Sequence, residues 1–178
     1  MKRLWLIVIL GLALAAEATA QTAADRTLAK LRALAGEWQG TLEWSGARTG
    51  TGTVRASYRV SSYDSAVFED LNMGSDAAPS MTSVYHLDGP DLRVTHFCGA
   101  GNQPRLKASR IDEERGVVQF EFVDATNLAA RPAHVDGIEI RFLSADRLVI
   151  EFSFTGGGKK SLEHIELQRA RRETPAKT

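Results

Sequence analysis

The apolar residues of this chain keep two rhythms. Between Thr22 and Ala35 they recur at helical spacing, with Leu28, Leu31 and Ala35 on one face. Thr22 and Asp25 form a capping-box pair at the start, and Gly36 supplies a stop. After Gly36 the period shortens to two. Trp38, Leu42 and Trp44 alternate with polar neighbours, with Gly40 on the same face, and Val54, Ala56, Tyr58 and Val60 do likewise. Eight further runs follow: 67–73, 81–87, 92–98, 106–111, 117–123, 138–142, 148–154 and 162–167. Turn signals divide them, among them Ser45-Gly46, Asp88-Gly89-Pro90, Gly99 to Asn102 and Gly156 to Gly158. The longest irregular stretches are Gly74 to Ser80 and Asp124 to His134.

Ten short strands in hairpin succession suit a closed barrel or a two-sheet sandwich. Closure removes exposed strand edges, and a barrel of this strand number is wide enough to enclose a small ligand. The expectation is therefore an all-β protein, an antiparallel up-and-down barrel of about ten strands with a short N-terminal helix. The sandwich is the alternative.

The N-terminus changes the picture of where the protein works. Lys2 and Arg3 precede an apolar run from Leu4 to Ala16, and Ala18-Thr19-Ala20 is a small-x-small cleavage pattern. The run is shorter than the roughly 20 residues that span a bilayer. Residues 1–20 thus read as a signal peptide cleaved after Ala20, 21–170 as one barrel domain, and 171–178 as a disordered tail. The expected location is periplasmic or secreted, with no integral membrane segment after cleavage. The 22 basic and 22 acidic side chains balance, and losing Lys2, Arg3 and Glu17 leaves them near balance. Nothing in that charge attracts nucleic acid. The single cysteine, Cys98, has no partner for an internal disulfide.

The densest chemistry lies between Thr95 and Arg105: THFCGAGNQPR. If Leu87 pairs with Leu92 across the Asp88–Asp91 turn, Tyr85 faces Val94, Ser83 faces His96 and Met81 faces Cys98. One face then carries Ser83, Tyr85, His96 and Cys98 among apolar residues. The other carries His86, Arg93 and Phe97, and its charge makes it the wetter one. A few polar groups on an apolar wall are what a small-molecule site presents. In the binding reading His96 and Tyr85 hold a polar group of the ligand, and Asn102, Gln103 and Arg105 line the mouth. In the plain reading His96 is a buried histidine satisfied by Ser83 or Tyr85, and Asn102-Gln103-Pro104 holds a turn.

Other chemistries need more than this stretch supplies. A metal at His96 and Cys98 needs further ligands, and there is no second cysteine. His86 points the other way, and His134 and His164 have no fixed place. The enzyme alternative is an isomerase or hydrolase using the His96, Tyr85 and Cys98 wall, and a Cys98–His96 nucleophile there needs an acid to orient the histidine. Asp70 and Asp124 are candidates without geometry. The Gly50-Thr51-Gly52 and Gly99-Ala100-Gly101 runs lack the lysine and helix start of a phosphate loop. Trp38, Trp44, Tyr58, Phe120, Phe122, Phe142, Phe152 and Phe154 read as core or pocket wall.

The segment LRALAGEWQGTLEW, Leu31 to Trp44, resembles the opening of calycin-type barrels, the lipocalin and fatty-acid-binding-protein group. Gly36-Glu37-Trp38 matches the Gly-x-Trp on their first strand. The Leu-x-x-Leu-x-Gly-x-Trp-x-Gly form is also similar to nitrobindin-like ten-stranded barrels. SVYHLDGPDLRVTHFCGAGNQPRLKAS, together with DATN, resembles an uncharacterised family of exported bacterial barrels. The resemblance implies that Trp38 closes the barrel base beside a late basic residue, for which Arg169 is available. It also implies a haem variant held by a late histidine, and so asks about His164. There Leu162 and His164 share a face and Ile165 does not, which leaves the register open. No cofactor is favoured. The expected function is non-catalytic binding of a small, apolar or lipid-like molecule, with the enzyme and the haem or metal barrel as alternatives. A solid barrel serving only as a structural or interaction protein is a further alternative.

Overall fold

The structure is a computed structural model that describes residues 21–74 and 79–171. The expected signal peptide, residues 1–20, and residues 172–178 of the expected tail lie outside the described residues. One helix, α1 (Ala23–Ala33), precedes ten strands. These are β1 (Gly36–Gly46), β2 (Gly50–Ser61), β3 (Ala66–Asn72), β4 (Met81–Asp88), β5 (Asp91–Phe97), β6 (Gln103–Asp112), β7 (Val117–Thr126), β8 (His134–Ser144), β9 (Arg147–Gly156) and β10 (Lys159–Arg169). Each strand pairs antiparallel with the next, and β1 pairs with β10, so the sheet closes into a barrel. The sandwich alternative is thereby set aside. β7 and β8 reach further into Asp124–His134 than the apolar pattern indicates, because Gln103 to Arg105 of β6 go on pairing with Thr126 to Asp124, and His134 and Val135 of β8 pair with Thr155 and Phe154 of β9.

The helix forms where its caps predict. The Thr22 hydroxyl accepts the Asp25 N–H at 3.1 Å, and the Asp25 carboxylate accepts the Thr22 N–H at 2.8 Å. Ala24, Thr27, Leu28 and Leu31 are buried, so the apolar face of α1 plugs one end of the barrel. The side chains of Trp38 and Arg169 lock that plug. The Trp38 indole N–H donates to the Leu34 carbonyl at 2.8 Å. The Arg169 guanidinium lies 4.5 Å over the Trp38 ring and donates to the carbonyls of Ala33, Leu34 and Ala35 just past the helix. It also binds Asp146 at 2.9 Å. A cation here meets the negative end of the helix and its orphan carbonyls. Arg169→Ala is expected to cost about 2 kcal/mol and to raise amide exchange selectively in α1, and Arg169→Lys will not restore it because the planar fork is lost. Equal exchange in α1 of wild type and variant contradicts this.

The opposite end of the barrel lies away from α1. There β1 ends at Gly46, β10 begins at Lys159 and β5 gives way to Cys98. Met73, Met81, Cys98 and Phe154 are partly buried against the core around this mouth.

Candidate functional site

The β4–β5 hairpin has the register expected from its turn: Leu87 opposite Leu92, Tyr85 opposite Val94, Ser83 opposite His96. All six are on the inner face, and Ser83, Tyr85 and His96 are buried. Two more polar side chains extend this set. Glu69 of β3 stands directly opposite Ser83, and Tyr58 of β2 directly opposite Glu69. Tyr58, Glu69, Ser83 and His96 therefore form one polar row across four adjacent strands, with Tyr85 beside it.

The row is hydrogen-bonded along its length. The Tyr58 and Tyr85 hydroxyls both donate to Oε2 of Glu69, at 2.7 and 3.1 Å. Ser83 Oγ lies 3.0 Å from His96 Nδ1. Burial pushes the Glu69 carboxyl up to about 7, against the lowering pull of the Tyr58, Tyr85 and Ser83 hydroxyls. Burial alone pulls His96 down to about 4, so its imidazole is neutral at neutral pH. Both tyrosines are raised well above 10 by burial and by the Glu69 charge beside them. Two atoms in the row have no hydrogen-bond partner among the described residues: Glu69 Oε1 and His96 Nε2. A Ser83 proton aimed at Glu69 makes His96 Nδ1 the donor to Ser83, and Nε2 then presents a lone pair. Rings bound the row: Phe152 lies 5.2 Å from His96 and Phe120 5.9 Å from Tyr85.

The rest of the dense stretch does different work. Cys98 N–H donates to the Asn102 carbonyl and Gly101 N–H to the Cys98 carbonyl, which closes the turn. The Asn102 amide is buried and donates to the carbonyls of Arg131 and Ala133, both at 2.7 Å, tying the β7–β8 loop to the β5–β6 turn. Pro104 and Leu106 point inward, so Gln103 and Arg105 fall on the outer face instead of lining the mouth. There Arg105 makes a two-pronged ion pair with Asp124, and Gln103 accepts from Thr126. Burial pushes the Cys98 thiol up, and the nearby Glu163 charge adds to this. That is the opposite of an activated thiolate.

His164 and the acids Asp70 and Asp124 stand outside. His164 faces outward and contacts Glu151 at 2.9 Å, because Ser161, Glu163, Ile165 and Leu167 take the inner face of β10. This orientation removes His164 as a ligand to anything inside the barrel. Asp70 accepts from Thr82 on the outer face. His134 packs 4.8 Å from the Phe122 ring, and His86 binds the Leu87 carbonyl. Among the described residues no three His, Cys, Asp or Glu side chains are grouped to hold a metal ion. None of their helices is long and apolar enough to cross a membrane.

Glu69 and Glu163 are the acids that sequence reasoning passed over. Each falls on the inward phase of an alternating strand, Glu69 between Val67 and Leu71, Glu163 between Ser161 and Ile165. A carboxylate in phase with apolar neighbours was the available signal. A surface depression of about 690 Å³ lies elsewhere, along the outer face of β1, β2 and β10, lined by Gln39, Thr41, Arg55 and Glu166. It touches none of these buried groups.

No family model matches the chain, and no curated protein matches its sequence. Among solved structures it is similar to Rv2717c from M. tuberculosis, with a TM-score of 0.55 and 16% identity over 82% of this chain and 98% of that one. At such identity the likeness shows a shared fold alone. A DUF3598-family protein of unknown function from Nostoc punctiforme gives a TM-score of 0.46 at 10% identity, over 79% of this chain and 49% of that one. A redesigned β-barrel gives 0.39 at 13%, over 80% and 96%.

Proposed function

We propose that this is an exported, calycin-like barrel that binds a small, largely apolar molecule through one polar group and performs no chemistry on it. The observation that carries this reading is the pair of unpartnered atoms, Glu69 Oε1 and His96 Nε2, in an otherwise satisfied buried row. Leaving such an atom without a partner costs about 1–3 kcal/mol; an amine that donates to both, or a hydroxyl that donates to His96 Nε2 while accepting from the protonated Glu69 carboxyl, removes that cost. Tyr58, Tyr85 and Ser83 fix the two acceptors in place. The apolar and aromatic walls supply the rest of the contact. Catalysis is disfavoured because Cys98 is not activated and His96 is oriented by a hydroxyl, not by a carboxylate. Export rests on the layout of residues 1–20.

Calorimetric titration of the purified protein with n-octanol, octylamine and octanoic acid tests the binding reading. At least one is expected to bind saturably, one molecule per barrel, and His96→Phe to weaken it at least about tenfold. No saturable heat with any of the three, or equal affinity in the variant, overturns it and favours a solid barrel.

A further inference from the structure

A second set of buried polar atoms stands on β1 and β10, toward the end of the barrel away from α1. Trp44 of β1 and Glu163 of β10 are direct cross-strand neighbours on the inner face. Glu163 is 1% exposed and its Oε1 has no hydrogen-bond partner among the described residues. Trp44 is 9% exposed, and its indole N–H likewise has none. These are one acceptor and one obligate donor, side by side. Phe154 meets the Trp44 ring edge-on at 6.3 Å, and Phe152 stands opposite Glu163 on β9. Arg48, from the β1–β2 turn, lies 4.0 Å over the Trp44 ring, and its charge also acts on Glu163. Nothing in the fold uses the Trp44 N–H or Glu163 Oε1 as a structural tie.

We propose that Trp44 and Glu163 form a second recognition site that takes a hydroxyl or amide group at the outer end of the bound molecule. A hydroxyl or a primary amide can accept from the indole N–H while donating to the carboxyl; an ammonium cannot accept, and an ether or ester cannot donate. Phe152 links the two sites: it is the β9 neighbour of Glu163, and its ring packs on His96. The ligand class is therefore an elongated apolar body with a polar group at each end. This rests on the reading of the barrel as a binder, and concerns the outer end of the same ligand.

The test is calorimetry with α,ω-alkanediols of four to ten carbons against the matching 1-alkanols, on the wild type, Trp44→Phe and Glu163→Leu. At the chain length that spans the two sites, the diol is expected to bind wild type at least about tenfold more tightly than its alcohol. Each variant is expected to lose that advantage and keep its affinity for the alcohol, and Glu163→Leu is expected to unfold at or above the wild-type temperature, because the Glu163 Oε1 it removes has no hydrogen-bond partner to lose among the described residues. A large fall in the unfolding temperature of Glu163→Leu would instead assign that carboxyl a structural role and overturn the proposal. So would a diol advantage that is absent at every length, or one that survives both substitutions, while alcohols still bind. If neither alcohols nor diols bind the wild type, the binding reading itself fails and this site falls with it. Should Glu163→Leu not fold, Trp44→Phe alone decides on the diol advantage, since it removes the donor and leaves a smaller aromatic ring in the wall.

Discussion

At pH 8 the Glu69→Gln variant is expected to be more stable than the wild type by on the order of 3 kcal/mol, and at pH 4.5 the two are expected to differ by about 1 kcal/mol or less. Glutamine keeps a carbonyl oxygen for the Tyr58 and Tyr85 hydroxyls and removes the buried charge. The pH dependence comes from the carboxyl, which titrates near its usual 4.5 in the unfolded chain and at about 7 in the folded one. Between those values the folded protein holds a proton that the unfolded chain has released, so stability falls as pH rises through the interval and is flat above it. Glu163, also raised to about 7 by burial, adds a fall over the same interval. His96, lowered to about 4, acts oppositely: its contribution falls as pH drops from 6.5 toward 4. Urea unfolding of both proteins at the two pH values reads the difference. An advantage of the same size at pH 4.5 and pH 8 contradicts a displaced Glu69.

Gly40→Ala should cost about 3 kcal/mol, while Gly52→Ala on the neighbouring strand should change stability by about 0.5 kcal/mol or less. A Cβ at Gly40 would stand 1.8 Å from the Glu166 carbonyl oxygen and 3.1 Å from the Leu167 Cα. Both obstacles are backbone, and both belong to β10 at the seam that closes the barrel. They can yield only if β1 and β10 part. At Gly52 the same atom meets only the flexible end of Leu42, at 3.7 Å or more. Thermal unfolding of the two variants side by side separates close backbone approach from the general cost of filling a glycine. Equal losses would show that the seam is not tight at Gly40.

The fold was legible because alternation, caps and turns all agreed. Thr22 and Asp25 announce the helix start, and Asp88-Gly89-Pro90 sets the β4–β5 register that brings Ser83 to His96. Half of the polar row followed from that one turn. The other half did not, because the β2–β3 turn holds Ser62, Tyr63 and Asp64 in left-handed geometry without a glycine or proline to mark it. With that register unreadable, nothing tied Tyr58 to Glu69 or Glu69 to Ser83. Asn102 drew attention as a polar residue in a loop, but its partners are carbonyls about thirty residues away, a tertiary contact that local spacing does not encode. Glu163 was hidden because the sequence leaves open whether Leu162–His164 or Glu163–Ile165 faces inward, and the neighbouring strands decide it.

The central claim is that the inner wall is built to hold a molecule. Native mass spectrometry of the protein purified without denaturation, before and after organic extraction, tests it most directly. The account predicts an excess mass, one small organic molecule per chain, that leaves on extraction and is carried less by His96→Phe. A bare protein mass in both preparations, from the wild type and the variant alike, would contradict it.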